Sequence, residues 1–307
     1  MNAGRSTLSA ALVLVALTAC APSTDDSRAQ TALGDDAITV GSFNFPESVL
    51  LAELYSQALE AGGFTVDRAF DIGAREFVGP ALDAGLIELV PEYAGTALAF
   101  RSRGAARPSA DVDATRRDLT RLLAGSDVTA LGSAPAQDAN AFVVSHDTAD
   151  RYHLQRLSDL ADAAGSLSFG GPPECPSRPL CLEGLQARYG VRFDEVVALD
   201  AGGPLTHQTL RNGGVDVALM FTTDPELDDY VVLADDKRLQ PAENVTPLIR
   251  RDAVERFGPD VVEVIDAVSR QLDTDTLREL NAIDAEQPGS DDVASIAATW
   301  LRARGGS

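Results

Sequence analysis

The sequence predicts an α/β protein with two lobes, each a mainly parallel sheet flanked by helices, and with a ligand cleft between the lobes. Three observations predict this class. From residue 37 onward, short β-branched segments alternate with segments of helical periodicity, which is typical of parallel sheets covered by helices. Connector-like segments near 132–138 and 238–244 divide the alternation into two halves. After the second connector one strand segment precedes helices only, so we expect it to complete the first sheet.

The first lobe is predicted to begin with a strand in AITVGS and a helix that starts at Pro46. Proline favours the first helical position, and Leu50, Leu54 and Ala58 then recur at every fourth residue before a pair of glycines. A strand in FTVDRAF and a helix in REFVGPALD follow. The segment LIELVPEYAGTAL is predicted as a strand, a turn broken by Pro91, and a helix.

The second lobe is predicted to repeat this alternation. Its strands lie in NAFVVS, LSFG, DEVVALD, VDVALMF and YVVLADD, and helices lie near residues 147–153 and in LEGLQARYG. We expect lobe 1 to contain residues 37–134 and 242–307, and lobe 2 to contain residues 135–241. Open α/β sheets bind ligands at the carboxyl ends of their strands. The loops after ITVGS, LIELV and VDVALMF are therefore the candidate binding loops.

The N-terminal segment is typical of an exported lipoprotein. An uncharged apolar run over residues 6–19 follows Arg5, and it is too short to span a bilayer but has the form of a signal peptide. Its last letters, LTAC, are similar to a bacterial lipobox, which predicts cleavage after residue 19 and a lipid on Cys20. An ordinary signal peptide with an incidental cysteine is the alternative. Residues 20–36 are small and polar, so we expect a flexible tether that anchors the protein outside the cytoplasm, at the bacterial cell membrane.

Two further cysteines, Cys175 and Cys181, lie in GPPECPSRPLC. Spacing alone leaves a metal clip, a redox pair and a structural disulfide open. If Cys20 carries a lipid, these two cysteines are the pair that is left, and outside the cytoplasm such a pair favours a disulfide. The three histidines form no spaced cluster with these cysteines, so we expect neither a metal nor a cofactor. The spacing is also not the C-x-x-C of redox motifs.

The charge balance limits the possible partners. The 307 residues include 47 acidic and 25 basic side chains, for a net charge of −22. Nucleic-acid binding depends on Lys and Arg, so we predict no nucleic-acid partner. The chain also has neither a G-x-S-x-G motif nor a Gly-rich phosphate loop. We therefore predict that it is not an enzyme, with an extracellular hydrolase or transferase as the competing hypothesis.

Five segments between about residue 38 and about residue 301 form a recognisable set: VGSFNFPESVLLAELY, PEYAGTAL, FTTDPEL, VVLADDKRLQPAENVTPL and LNAIDAE. Together they resemble the substrate-binding lipoproteins of ABC importers for glycine betaine, choline, carnitine and related quaternary amines. The resemblance implies the type II periplasmic-binding-protein fold and a small-molecule solute. It also implies a membrane permease with its ATPase as partners, and we expect the chain to act as a monomer.

The resemblance places Tyr93 and Phe221 in an aromatic box around the solute. A quaternary ammonium has no N–H to donate, and ring faces attract its charge by roughly 0.5–2 kcal/mol each. Relatives usually have tyrosine at the position of Phe221. Asn44 and Phe45 follow the first strand and are predicted to add a polar anchor and another ring.

Two positions depart from the family pattern. Asn140 and Leu205 stand where relatives have box tyrosines. The loss of two rings opens a second possibility, in which Asp138 and Asn140 bind a more polar solute, such as an amine, an amino acid derivative or a hydroxylated compound.

Other candidate ligand residues have structural alternatives. Arg75 and Arg178 are each predicted to bind a ligand carboxylate. The alternative for Arg75 is a helix-start pair with Glu76, and the alternative for Arg178 is a solvent-exposed position. Thr222 and Thr223 are predicted to face the cleft. The leading function is solute capture for import through cleft closure, and a ligand sensor without transport is the further alternative.

Overall fold

Two five-stranded sheets organise the chain in the computed structural model, which describes Met1, residues 36–286 and residues 290–305. Cys20, the signal peptide beyond Met1 and the tether up to residue 35 lie outside the described residues, so these assignments stay predictions. None of the helices in the described part of the chain is long and apolar enough to cross a membrane.

The strands share short lengths of two to six residues. They are β1 (Ala37–Gly41), β2 (Thr65–Ala69), β3 (Leu89–Tyr93), β4 (Val128–Ala130), β5 (Asn140–Val144), β6 (Ser168–Gly171), β7 (Glu195–Ala198), β8 (Val217–Phe221), β9 (Val231–Val232) and β10 (Val245–Arg250). The first sheet has the order β2-β1-β3-β10-β4 and the second has the order β7-β6-β8-β5-β9.

Helices cover both sheets. They are α1 (Pro46–Ala61), α2 (Arg75–Asp83), α3 (Ala94–Arg101), α4 (Val112–Leu123), α5 (His146–Tyr152), α6 (Leu182–Tyr189), α7 (Pro204–Arg211), α8 (Arg251–Phe257), α9 (Asp260–Ser269), α10 (Thr274–Glu286) and α11 (Ser290–Ala303). We call the first sheet with α1–α4 and α8–α11 lobe 1, and the second sheet with α5–α7 lobe 2. The predicted two-lobed α/β class is confirmed.

Each sheet is mainly parallel with one reversed strand. In the first sheet β10 runs antiparallel to both of its neighbours, and in the second sheet β5 does so. Strand β10 therefore brings the chain back from lobe 2 into the first sheet, as its sequence position predicted. The last four helices then follow β10, and α9 and α11 pack against α1.

Helix α1 lies at the centre of the lobe 1 core. Its apolar side chains Leu50, Leu54 and Leu59 are fully buried, and so is Tyr55. The Tyr55 hydroxyl hydrogen-bonds the Ser269 hydroxyl of α9 at 2.9 Å. Burial of each Leu side chain contributes about 1.5–3 kcal/mol to the free energy of unfolding. This packing holds α1 in place, and the site residues lie at its start.

The predicted turn at Pro91 is wrong, because β3 continues through it to Tyr93. Pro91 lies opposite Pro247 of β10. The Ala94 N–H donates to the Asn244 carbonyl at 3.0 Å, and because hydrogen-bonded pairs alternate with non-bonded pairs, Pro91 and Pro247 occupy a non-bonded pair. Proline has no N–H to donate, and none is required between β3 and β10 at this pair. The strand therefore carries Tyr93 to the edge of the sheet, directly before α3.

Candidate ligand-binding cleft

A cavity of about 170 Å³ lies between the two lobes. Eight of the predicted ligand residues line it: Asn44, Phe45, Arg75, Tyr93, Asp138, Asn140, Arg178 and Phe221. Thr223 instead lines a second cavity of about 350 Å³, which shares Phe45 and Phe221 with the first. Thr222 lines neither cavity, and its hydroxyl donates to Asp138.

The loop between β1 and α1 is held by its own hydrogen bonds. The Phe43 N–H donates to the Ser48 hydroxyl at 2.9 Å, and the Asn44 N–H donates to the Gly73 carbonyl at 3.2 Å. Phe45 precedes α1 in an extended conformation, and Pro46 begins the helix. Pro46 therefore both begins the helix and restricts Phe45 to an extended conformation, which sets the direction of the Phe45 side chain.

Phe45 forms the middle of an aromatic cluster that joins the lobes. Its ring centroid lies 6.2 Å from that of Tyr93 in lobe 1 and 5.5 Å from that of Phe221 in lobe 2. On its other side it stacks on Phe43 at 5.8 Å. Phe43 and Phe100 also line the cavity, and the sequence analysis did not name them as ligand residues. The cavity wall is thus richer in rings than the predicted box.

Tyr93 is held by a carboxylate that the sequence analysis did not identify. Its hydroxyl donates to Glu47 Oε1 at 2.5 Å, and its backbone N–H donates to Glu92 Oε2 at 2.9 Å. Burial, and then the negative charge of Glu47, raise the pKa of Tyr93 well above its usual value. The ring therefore stays a neutral phenol with a fixed orientation.

Arg75 is engaged with a partner inside lobe 1. Its guanidinium forms a bidentate pair with Glu92, with Nε and Nη2 donating at 2.8 Å and 2.9 Å. Both side chains are buried, and the guanidinium also lies 4.6 Å from the centroid of the Phe43 ring. Two of its donors are thus committed to Glu92 before any ligand arrives.

The predicted disulfide between Cys175 and Cys181 is formed, with a Cα–Cα distance of 5.3 Å. It closes the loop that contains Arg178. The Arg178 Nη2 donates to Glu76 Oε2 of α2 at 2.8 Å, so the side chain reaches across the cleft from lobe 2 to lobe 1. The disulfide loop is therefore one of the contacts between the lobes.

Asn140 connects the disulfide loop to the rest of lobe 2. Its Nδ2 donates to the Leu180 carbonyl at 3.0 Å and to Gln240 Oε1 at 3.2 Å. The amide thus supports the wall of the cavity, which it also lines. Leu205, the other position where relatives have a tyrosine, is 49% exposed on α7 and lines neither cavity.

Carboxyl groups make the cavity negative. Asp138, Glu174, Asp200 and Glu243 line it. Glu243 accepts the hydroxyl and the backbone N–H of Thr96, at 2.5 Å and 3.0 Å. Burial raises its pKa to about 7. Because Glu92 and Glu76 already engage the two lining arginines, the balance of charge favours a cationic ligand.

The second cavity has several polar residues in a mostly apolar wall. Its lining includes His207 and Asp224, whose side chains hydrogen-bond at 2.8 Å, and Asn281 and Asp284 of α10. Within the described residues, no group of three or more His, Cys, Asp or Glu side chains is arranged to hold a metal ion.

Two α/β lobes around an aromatic, acidic cavity define the class of two-lobed solute-binding proteins. A family model for the substrate-binding domain of the ABC-type glycine betaine transport system matches residues 36–303. The chain belongs to this family, and the resemblance seen in the sequence is confirmed. Its members bind small-molecule solutes and work with ABC permeases, and they are not an enzyme family.

Individual relatives agree with the family. The chain is 27% identical to the glycine-betaine-binding protein of Pseudomonas aeruginosa, over 85% of this chain and 86% of the relative. It is 23% identical to an ergothioneine transport permease/ergothioneine-binding protein of Helicobacter pylori, with 82% of this chain and only 45% of the longer relative covered. The crystal structure of a glycine betaine/carnitine/choline ABC transporter matches with a TM-score of 0.67 and 22% identity, over 88% of this chain and 99% of that one. This likeness confirms the type II periplasmic-binding-protein fold.

Proposed function

We propose that the chain captures a small quaternary ammonium solute, such as glycine betaine or choline, in the cavity between the lobes. Closure of the lobes then delivers the solute to an ABC import permease and its ATPase. The observation that supports this function most directly is the convergence of Tyr93, Phe45 and Phe221 on one cavity that also contains buried carboxyls. Ring faces and negative charge together suit a cation without N–H donors.

The roles within the cavity follow from the contacts. Tyr93, Phe45 and Phe221 offer ring faces to the ammonium, and Glu174 and Asp200 add negative charge to the cavity wall. Asn44 lies in the β1–α1 loop at the cavity wall, where it binds a polar end of the solute. Arg75 and Arg178 act mainly on protein carboxylates, so a solute carboxylate would have to share their remaining donors.

Closure is stabilised by contacts that cross the cleft. Arg178 of lobe 2 pairs with Glu76, and the Thr223 hydroxyl donates to Glu47 Oε2 at 2.5 Å. Arg278 of α10 also donates to the Thr222 carbonyl at 3.0 Å. A solute that touches both lobes adds its own contacts to this set and shifts the population toward the closed form.

The N-terminal predictions complete the proposal. Cys20 carries the lipid, residues 20–36 form the tether, and the monomeric protein works outside the cytoplasm beside its permease. Mass spectrometry of the membrane fraction tests this part, because a lipid on Cys20 adds a defined mass to the N-terminal peptide.

A more polar solute is the second candidate, and the acceptor-rich wall formed by Asp138 and Glu243 favours it. An amine with N–H donors can hydrogen-bond these carboxylates, whereas a quaternary ammonium cannot. A ligand sensor is a further candidate. It binds the same solute at the same site, but no permease takes the solute up.

Calorimetry with matched solutes tests the proposal. Choline is compared with its neutral carbon analogue, in which a tert-butyl group replaces the trimethylammonium group. We expect choline to bind at least tenfold more tightly, because the rings and carboxyls act on its charge. Equal affinity for the two compounds, or binding only of primary amines or sugars in the same screen, contradicts the quaternary ammonium assignment. Solute uptake that requires both the protein and the permease separates transport from sensing.

A further inference from the structure

We propose that Glu47 and Asp138 form one proton-sharing pair that positions Tyr93 and couples closure of the lobes to the uptake of a proton. This goes beyond the proposed function, since it concerns how closure is controlled rather than which solute is bound. Only its solute-binding consequence depends on that function.

Glu47 lies at the start of α1, is 6% exposed, and connects three parts of the molecule. Its Oε1 accepts from the Tyr93 hydroxyl at 2.5 Å. Its Oε2 accepts from the Thr223 hydroxyl of lobe 2 at 2.5 Å and from Asn281 Nδ2 of α10 at 2.6 Å. One carboxyl group thus fixes the ring of a cavity residue and bridges the two lobes.

Asp138 lies at the crossing between the lobes and is 5% exposed. Its Oδ1 accepts from the Thr223 N–H at 3.0 Å and from the Thr222 hydroxyl at 3.2 Å. Asp138 and Glu47 both accept from Thr223, Asp138 from its N–H and Glu47 from its hydroxyl, so the two carboxyl groups lie close together at one end of the second cavity. Two carboxyl groups that meet in a buried site are stable only when a proton lies between them.

The surroundings provide no compensating positive charge. Among the ion pairs of the described residues, none includes Glu47 or Asp138. The nearby cations are already paired, Arg75 with Glu92, His207 with Asp224 and Arg211 with Glu226. Other titratable and charged groups line the two cavities beside the pair: Arg75, Tyr93, Glu174, Arg178, Asp200 and Glu243 in the first, and His207, Arg211, Asp224, Glu226 and Asp284 in the second.

Burial raises the pKa of both carboxyls, and their mutual repulsion raises that of Asp138 further. When the lobes separate, water reaches the pair and both groups ionise with ordinary pKa values of about 4. Closure therefore takes one proton from the solvent, and opening returns it. Because the pKa is higher in the closed form, closure is fully favoured below the open-form pKa and loses this contribution as the pH rises through the closed-form pKa.

The solute affinity reports this linkage. With one linked proton, the dissociation constant rises by up to about tenfold for each pH unit between the two pKa values. Calorimetry in two buffers of different ionisation enthalpy counts the protons taken up with choline. We expect uptake of a fraction of a proton, and at most one, in the wild-type protein.

Asp138→Asn is the informative variant. Its Oδ1 can still accept from Thr222 and Thr223, and its Nδ2 offers Glu47 a permanent donor in place of the shared proton. We expect the variant to lose the part of the pH dependence of choline affinity, and of the proton uptake, that the pair contributes, and to keep only what Glu243 contributes near its pKa of about 7. Glu47→Gln should remove the same part, which keeps the test valid if Asp138→Asn does not fold. Asp284→Asn, which changes another buried carboxyl beside the second cavity, should keep the wild-type slope.

A measurement without solute separates this proposal from the proposed function. Small-angle X-ray scattering of the full chain should show a radius of gyration that decreases as the pH falls, and no such change in Asp138→Asn. Failure of every solute to bind defeats the proposed function but leaves this result standing. The coupling is overturned if the wild-type radius and proton uptake are independent of pH, if Asp138→Asn keeps the wild-type slope, or if Asp284→Asn removes it.

Discussion

Replacing Glu92 by alanine should be among the most destabilising single changes near the cavity. Glu92 and Arg75 are 5% and 8% exposed, and two hydrogen bonds of 2.8 Å and 2.9 Å join them. Removal of one partner leaves an uncompensated buried charge, which costs about 3–5 kcal/mol. The Tyr93 N–H also loses its acceptor, which adds about 1 kcal/mol. We therefore expect Glu92→Ala to lower the free energy of unfolding by at least about 3 kcal/mol.

A second Arg–Glu pair provides the matched control. Glu76 lies next to Arg75 in the sequence and pairs with Arg178 at a similar distance of 2.8 Å, but the two side chains are 39% and 26% exposed. Exposed pairs contribute about 0–1 kcal/mol, so Glu76→Ala should change the free energy of unfolding very little. Urea unfolding followed by circular dichroism measures both variants.

The double variant Arg75→Met with Glu92→Leu completes the test. It removes both charges and fills their volume with apolar groups, so it should recover most of the stability that Glu92→Ala loses. Equal losses for Glu92→Ala and Glu76→Ala would refute the argument from burial. A double variant as unstable as Glu92→Ala would show that the loss comes from packing rather than from the unpaired charge.

Three further predictions concern the cavity, the disulfide and pH. Phe221→Ala should weaken choline binding by about 2–30-fold while Phe221→Tyr keeps it, and calorimetry that finds no difference between them removes this ring from the site. Reduction of the disulfide should lower the free energy of unfolding by about 2–3 kcal/mol, and an unchanged urea midpoint after complete reduction contradicts this. Burial raises the pKa of Glu243 in the folded protein from 4.5 to about 7, so its contribution to stability is complete below the lower value and lost as the pH rises through the higher one. Wild type and Glu243→Gln should therefore differ in the pH dependence of unfolding, and parallel curves argue against this role.

Local sequence signals predicted most of the elements around the cleft. Helix α1 begins at Pro46 and ends before the glycine pair, as its spacing predicted. The turn at Pro91 failed because its partner, Pro247, lies far along the chain and no local signal reveals the pairing. Helix α4 and strand β4 received no assignment. Strand β4 has only three residues and gives little periodic signal. Helix α4 did carry a signal that the sequence analysis missed, because Asp111 caps it and Thr115, Leu119 and Leu123 form a buried face at every fourth residue.

The carboxylates of the cleft show the limit of sequence reasoning more clearly. Glu47 occupies the first turn of a helix, where an acidic residue normally interacts with the helix dipole at the surface. Its burial and its contacts to Tyr93 and Thr223 depend on a strand and a loop from other parts of the chain. Glu92 and Glu243 lie inside recognised motifs, but the motifs do not reveal which groups they bind.

The two arginines lead to a consequence for solute choice. Sequence reasoning gave Arg75 and Arg178 the same possible role, binding a ligand carboxylate. The structure places a protein carboxylate on each of them, buried in one case and exposed in the other. A zwitterionic solute would have to compete with Glu92 or Glu76, and competition with buried Glu92 costs more because the displaced charge has no access to water. A cation without a carboxylate avoids this competition, so the cleft should bind choline at least as well as glycine betaine.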